Sequence, residues 1–94
     1  MSFKHKGIVK EYKALAYLVK LGYRVYRVPM SLLPFDILAI NPDKNEILFV
    51  EVKSEKSKLS KRQEEFKKII DAMPNWYVRY RVLKITDSGD IEWE

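Results

Sequence analysis

The sequence FDILAI at residues 35–40, followed by LFVEVK at residues 48–53, decides the fold. Both stretches consist mainly of β-branched, aliphatic and aromatic residues, a composition typical of strands. Residues 41–45 between them, NPDKN, are rich in turn formers. The pattern therefore predicts a β-hairpin at the centre of the chain.

Each predicted strand carries one carboxylate among apolar residues, Asp36 in the first and Glu51 in the second. If the turn is centred between Asp43 and Lys44, Asp36 lies opposite Glu51, with paired Cα atoms roughly 4.5–5.5 Å apart. Side chains alternate along a strand, so Lys53 lies on the same face as Glu51. Two adjacent carboxylates beside an amine suit a divalent metal ion and the activation of a water molecule.

Two segments have the apolar spacing of amphipathic helices. The first covers residues 4–21 and ends before Gly22, a residue suited to close a helix. The second covers residues 59–73 and ends before Pro74. The apolar residues that define the first helix are Ile8, Tyr12, Leu15, Leu18 and Val19. Those that define the second are Leu59, Phe66, Ile69, Ile70 and Met73.

Three further segments are predicted to be strands: residues 23–28, 76–85 and 91–93. A turn over residues 87–90 joins the last two. Together with the hairpin and the helices, they give the order αβββαββ. This order predicts one α/β domain over residues 1–94, with a mixed central sheet flanked by helices.

The composition favours some partners over others. Eighteen Lys and Arg residues against thirteen Asp and Glu give a net charge of +5. A basic domain favours a polyanion, most often nucleic acid, although a merely solvated surface is the alternative. Cysteine is absent, which excludes disulfides and thiolate metal sites and favours an intracellular, cytoplasmic protein. No apolar run is long enough to span a membrane, so no membrane partner is expected.

Glu11 interrupts the apolar stripe of the first predicted helix. It lies three residues after Ile8 and four before Leu15, and so on the inward side of the helix. Burial of a carboxylate is unfavourable unless it is paired or binds a metal. The alternatives are a Glu11 at the border of the helix and a plain cross-strand ion pair between Asp36 and Lys53.

Several short motifs run in order along most of the chain. They are Lys6-Gly7-x-x-x-Glu11, Gly22-Tyr23-x-Val25, Asp36, Glu51-Val52-Lys53-Ser54 and Leu59-Ser60-x-x-Gln63. With these motifs the chain resembles the PD-(D/E)xK nuclease superfamily, the fold of many restriction endonucleases, and within it the archaeal Holliday junction resolvases. The residue before Asp36 is Phe35, where the motif name has proline.

The resemblance implies a metal-dependent DNA endonuclease with a restriction-endonuclease-like fold, acting on four-way junctions as a homodimer. It implies that Asp36, Glu51 and the backbone carbonyl of Val52 bind Mg²⁺, for which Mn²⁺ can substitute. Glu11 would hold a second ion or a water, and Lys53 would orient the attacking water. The resemblance also points to an archaeon or one of its viruses as the source.

Two further polar residues are assigned to the catalytic site by the resemblance, each with an alternative. Gln63 matches a glutamine after the family's catalytic lysine. Yet Ser60 and Gln63 also have the spacing of a capping box, and both interpretations can hold together. Ser31 matches a loop serine of the resolvases, but the segment around it can simply be a loop.

The basic residues form clusters along the sequence. One lies at the N-terminus and first helix, one follows Lys53, and one on the late strand comprises Arg79, Arg81 and Lys84. The first two flank the predicted site and are expected to bind phosphates without base specificity, unless they are ordinary solvated surface. His5, the single histidine, is expected to be solvated or to contact phosphate. The residues assigned to DNA binding are Lys4, Lys6, Lys10, Lys56, Lys58, Lys61 and Arg62.

Two other functions remain open from the sequence. One is a nuclease of the same fold with another target, such as flaps, ends or invading DNA. The other is a non-catalytic DNA-binding module that keeps the fold. A pure phosphate binder gains nothing from three acids inside a basic surface, so the carboxylates favour the nuclease.

Overall fold

The computed structural model describes residues 3–29, 32–74 and 77–94, with side chains from residue 8 onward within these ranges. It contains two helices and a five-stranded mixed sheet, which confirms the predicted order αβββαββ of an α/β fold. No helix in these described ranges is long and apolar enough to cross a membrane. The elements are α1 (Phe3–Lys20), β1 (Arg24–Arg27), β2 (Ile37–Asn41), β3 (Glu46–Ser54), α2 (Lys61–Ala72), β4 (Val78–Ile85) and β5 (Ile91–Trp93).

The strands lie in the sheet in the same order as in the chain. β3 and β4 run parallel, whereas β1 with β2, β2 with β3 and β4 with β5 are antiparallel. Helix α2 lies between β3 and β4 in the chain and supplies the crossover that parallel pairing needs. The strand that carries Glu51 and Lys53 is therefore the central strand of the sheet.

The β2–β3 hairpin has the register predicted from its turn. Asn41 pairs with Glu46, and Ile37 pairs with Val50. Asn45 has a φ of 52°, in the left-handed region that asparagine tolerates better than most residues. The turn is therefore centred where the sequence placed it, and this fixes which residues face each other at the open end of the hairpin.

Helix α1 packs on one face of the sheet, but with a different stripe from the one predicted. Ala14 and Leu18 are fully buried and Leu15 packs beside them. The prediction that Ile8, Tyr12 and Val19 face the core was wrong, since these side chains are 39%, 58% and 56% exposed. The helix carries apolar residues on two sides, and the small side chain of Ala14 allows a close approach to the sheet. The core on this face consists of Ala14, Leu18, Ile37, Ala39, Leu48, Val50, Leu83 and Ile85.

The end of α1 confirms the role predicted for Gly22. Its φ is +98°, and its N–H donates to the carbonyl of Val19 at 3.0 Å. The N–H of Tyr23 donates to the carbonyl of Leu18, also at 3.0 Å. These two bonds form a Schellman motif, in which a left-handed residue satisfies the last helical carbonyls.

Helix α2 covers the opposite face of the sheet. The Phe66 ring lies 5.7 Å from Phe35, 5.3 Å from Phe49 and 5.7 Å from Tyr80, measured between centroids. Ile70 is buried one turn further along the helix. The predicted inward positions of Ile69 and Met73 were wrong, as they are 63% and 43% exposed, because the helix contacts the sheet through the narrower stripe of Phe66 and Ile70.

The remaining boundaries agree with the sequence where the structure describes them. The turn before β5 has Gly89 at φ +95°, and the N–H of Thr86 donates to the carbonyl of Asp90 at 2.9 Å. β4 begins at Val78. The predicted start of this strand at Trp76 lies outside the described residues.

Candidate active site

Asp36 and Glu51 lie side by side at the open end of the β2–β3 hairpin. The recorded pairing of β2 with β3 ends at Ile37 and Val50, and Asp36 and Glu51 are the next residues on the two strands. The backbone N–H of Asp36 donates to the carbonyl of Val50 at 2.8 Å, which holds Asp36 against β3. The spacing and the turn of the hairpin thus bring two carboxylates together, as the sequence predicted.

Backbone and side-chain contacts hold both carboxylates in place. The Asp36 carboxylate accepts a hydrogen bond at Oδ2 from the N–H of Val52, at 2.8 Å. Glu51 is 5% exposed, and its Oε2 lies 3.4 Å from the Nζ of Lys53. Lys53 itself is 20% exposed along its side chain, so its ammonium group lies beside the acids within reach of solvent.

The two carboxyl groups cannot both ionise easily. Burial, and then the negative charge of Asp36, raise the pKa of Glu51 to about 7, although Lys53 opposes the shift. Burial also raises the pKa of Asp36, while the Val52 N–H and the nearby cations lower it. Near neutral pH Glu51 is therefore partly protonated, which reduces the negative charge of the pair.

Glu11 approaches the same place from α1. It lies three residues before Ala14 and seven before Leu18, on the stripe that faces the sheet. Burial raises the pKa of Glu11, and the hydrogen bond from Arg27 opposes that rise. The Nε of Arg27 donates to Oε1 of Glu11 at 2.9 Å, and its guanidinium lies 5.8 Å from the centre of the Tyr12 ring.

These residues line one cleft of about 340 Å³ at the end of the sheet. A second cleft of about 320 Å³ shares Lys10 and Ser54 with the first, which places the two clefts next to each other. The first is lined by Lys10, Glu11, Asp36, Glu51, Val52, Lys53, Ser54 and Ser57. The second is lined by Lys10, Ser54, Glu55, Lys56 and Asp87.

A model of the protein family described as "endonuclease related to archaeal Holliday junction resolvase" matches residues 16–85. The chain belongs to this family of endonucleases. Asp36, Glu51 and Lys53 lie within the matched residues, whereas Glu11 and Lys10 precede them. No curated protein matches the chain.

The cleft of this endonuclease contains oxygen donors that suit Mg²⁺. Asp36 and Glu51 offer adjacent carboxylates, and Mg²⁺ is often held by one or two carboxylates together with substrate phosphates and water. Glu11 is engaged by Arg27, and within the described ranges no three Asp, Glu, His or Cys side chains already form a cluster that could hold a metal ion. The donor set therefore fits an ion that shares its ligands with a substrate. The ligand role of the Val52 carbonyl stays a prediction.

The sequence did not predict two charged residues at this site: Arg27, which contacts the cleft residue Glu11, and Asp87, which lines the second cleft. Arg27 stands beside Glu11, and Asp87 pairs with Lys10 at 3.2 Å between Oδ1 and Nζ. Arg27 gave a partial signal, because it is charged among apolar strand residues. Asp87 gave none, since it lies in a turn far from the site in sequence and only the tertiary fold brings it to the cleft.

Gln63 takes the capping role in the described structure. Its side-chain Oε1 accepts from the N–H of Ser60 at 2.8 Å, and Ser60 Oγ accepts from the N–H of Gln63 at 3.2 Å. This capping box is confirmed, and Gln63 does not line either cleft. Its catalytic assignment stays a prediction. Ser31 lies outside the described residues.

The residues assigned to DNA binding are placed differently from one another. Lys10 and Lys56 line the clefts. Lys58 is exposed before α2, Lys61 is exposed at its first position, and Arg62 donates to the carbonyl of Leu32 at 2.7 Å. The side chains of Lys4, His5 and Lys6 lie outside the described residues, so their DNA contacts stay predictions.

Proposed function

We propose that this protein is a Mg²⁺-dependent DNA endonuclease that cuts four-way junctions as a homodimer. The observation that carries the proposal is the pairing of half-buried Asp36 with buried Glu51, with Lys53 beside them in an open cleft. Membership of the endonuclease family supports hydrolysis of nucleic acid. The metal, the junction and the dimer are the parts that experiments must test.

Asp36 and Glu51 are the residues that would hold the ion, and Mn²⁺ would serve in the same place. The chemistry that a divalent ion supplies when bound is activation of water and stabilisation of charge on the phosphate. The raised pKa of Glu51 supports this role, because a site that retains a proton near pH 7 is short of positive charge. A divalent cation can replace that proton.

Lys53 and Arg27 would supply the remaining positive charge around the reacting phosphate. Lys53 Nζ is held 3.4 Å from Glu51, which directs its ammonium group into the cleft. Arg27 is held by Glu11 at the α1 side. A developing charge on a phosphate between these side chains would be stabilised from two directions without a large rearrangement.

The neighbouring cleft supports a path for the DNA backbone beyond the cut. Lys10 lies where the two clefts meet, and Lys56 lines the second one. Contacts of lysines with phosphates give affinity that does not depend on base sequence. Such binding suits an enzyme that selects a branched shape.

A homodimer fits the symmetry of a four-way junction. Two paired nicks need two active sites, and the described residues of one chain form one acidic cleft. A two-fold contact between identical surfaces would place two such clefts on one substrate. Light scattering at micromolar concentration should give about twice the monomer mass; a monomer that still makes paired nicks would contradict the dimer.

The decisive experiment is cleavage of a synthetic four-way junction beside linear duplex and flap DNA. Cutting of the junction in Mg²⁺ or Mn²⁺, its absence in Ca²⁺ and its loss in EDTA are expected. Undiminished cutting in EDTA would rule out the metal-dependent mechanism. Preferential cutting of flaps or ends would keep the nuclease and replace the junction as its substrate. Binding without cutting on every substrate would favour a binding module.

A further inference from the structure

Lys84 is a basic residue of the late strand whose ammonium group points into the protein. Its side chain is 12% exposed. In the parallel pairing of β3 with β4, Lys84 lies directly beside Lys53. The sequence groups it with Arg79 and Arg81 as a basic cluster, but its surroundings give it a different use.

The Lys84 ammonium is engaged by contacts within the protein. Its Nζ donates to the backbone carbonyl of Ser57 and, at 3.4 Å, to that of Glu55. The carboxylate of Glu94 lies 3.2 Å away and balances the charge. Two hydrogen bonds and one ion pair thus engage the Lys84 ammonium within the protein.

The carbonyls that Lys84 binds belong to the turn of residues 54–57, which follows β3. The N–H of Ser57 donates to the carbonyl of Ser54 at 3.1 Å, and the hydroxyls of the two serines are hydrogen-bonded to each other. This turn lines both clefts, with Ser54 and Ser57 on the acidic one and Lys56 on its neighbour. Lys84 therefore anchors the turn of residues 54–57, which lines both clefts.

We propose that Lys84 is a positioning residue that preorganises the turn of residues 54–57 for the DNA strand. The proposal rests on the nuclease function proposed above. It acts through binding: a turn that is already ordered loses less conformational entropy when the substrate arrives. If Lys84 is removed, the substrate must order the turn itself, which weakens binding. Once bound, the substrate restores the turn, and the rate at saturation is preserved.

The test compares Lys84→Met and Lys84→Arg with the wild-type protein. The methionine keeps an unbranched apolar stem without donors, whereas the arginine keeps the charge and donors for the carbonyls. The control Lys67→Met removes a charge from an exposed pair with Asp71 on α2. If Lys84→Met does not fold, Lys84→Leu replaces it, because leucine also lacks both the charge and the donors.

Hydrogen exchange without DNA is the first measurement, and it does not depend on catalysis. The Ser57 amide should exchange about tenfold faster in Lys84→Met, with the rate restored in Lys84→Arg and unchanged in Lys67→Met. Equal exchange in all variants would overturn the positioning role even if the protein proves to be an excellent nuclease. If exchange changes as expected but no variant cuts DNA, the proposed function has failed and the anchoring of the turn stands.

Single-turnover cleavage is the second measurement. The half-saturating concentration should rise about tenfold in Lys84→Met, which corresponds to about 1.4 kcal/mol. The rate at saturation should stay within about threefold, and Lys84→Arg should recover most of the affinity. A loss in Lys84→Met that Lys67→Met reproduces would show that only net charge matters. A loss confined to the saturated rate would place Lys84 in the chemical step and refute preorganisation.

Discussion

The two ends of the β2–β3 hairpin differ in how their polar side chains are stabilised. At the turn end, Asn41 is buried and accepts from the N–H of Lys44, and Glu46 accepts from the hydroxyl of Tyr23. At the open end, two carboxylates face each other and both have a raised pKa. The polar groups of the turn end stabilise the fold, whereas burial at the open end disfavours the ionised form of both carboxyl groups.

The largest expected effect is a loss of cleavage that occurs only when the carboxylates of the open end are replaced. Asp36→Asn and Glu51→Gln keep the side-chain shape but remove the charge that would hold a metal ion. Each should lower the single-turnover rate by roughly 10²–10³-fold or more. Junction binding should survive or tighten, because a negative charge leaves the phosphate-binding surface. Gel-shift affinity measured on the same junction checks this part.

Glu46→Gln is the matched control, since it makes the same chemical change at the turn end. Its cleavage rate should equal that of the wild-type protein. Wild-type cutting in both open-end variants would place the active site elsewhere. Parallel losses of cutting and binding in folded Asp36→Asn and Glu51→Gln would mean that these acids serve binding only.

The second effect is a pH dependence of stability that originates at the open end. The pKa of Glu51 is raised from 4.5 to about 7, so its protonated form stabilises the fold at low pH. This contribution is complete below about pH 4.5 and is lost as the pH rises through about 7. In metal-free buffer, it should amount to on the order of 2 kcal/mol, or roughly 10 °C in Tm.

Thermal unfolding of wild type and Glu51→Gln between pH 5 and 8 measures that difference. The wild-type Tm should fall relative to the variant as the pH rises, and Mg²⁺ at pH 8 should recover part of the loss because it binds only the folded state. A constant difference across this range would show that Glu51 is ionised throughout. Burial at the open end would then not favour the protonated form of Glu51.

The smallest expected effect belongs to the turn end. Tyr23→Phe removes the hydroxyl that donates to Glu46. Burial first, and then Glu46, raise the pKa of Tyr23 to about 12, so this hydroxyl stays protonated at ordinary pH. Its loss should lower the free energy of unfolding by about 1 kcal/mol without changing cleavage. Urea denaturation measures the free energy of unfolding, and the junction assay measures cleavage. A fall in cleavage would contradict the assignment of a purely structural role to the turn end.

The sequence predicts the hairpin and its acidic pair because local features determine both. The turn formers fix the register up to the pair of Ile37 and Val50, and Asp36 and Glu51 follow directly on the two strands. The half-buried position of Glu11 on the sheet-facing side of α1 also follows from helical spacing. This position was predicted correctly although Ile8, Tyr12 and Val19 do not face the core. Leu15 belongs both to the predicted stripe and to the stripe that packs on the sheet.

The features that the sequence did not predict depend on long-range packing. Tyr12 is exposed and carries Arg27 over its ring, a contact between α1 and β1 that no local pattern encodes. Asp87 reaches Lys10 only because β4 ends beside α1. The sequence only groups Lys84 with Arg79 and Arg81 as a basic cluster, and the folded turn after β3 provides the carbonyls that draw its ammonium group inward.

The central strand β3 pairs with one neighbour that is close in sequence and with one that is distant. Its pairing with β2 closes a short turn, whereas its pairing with β4 joins Ile47 to Val78 across the whole of α2. Nearby contacts form earlier than distant ones because less chain entropy is lost in closing them. We therefore expect Asp36 and Glu51 to meet while still in water and to be buried only when β4 docks. The last step of folding would then take up a proton or a cation, so that the maturation of this domain ends in a binding event.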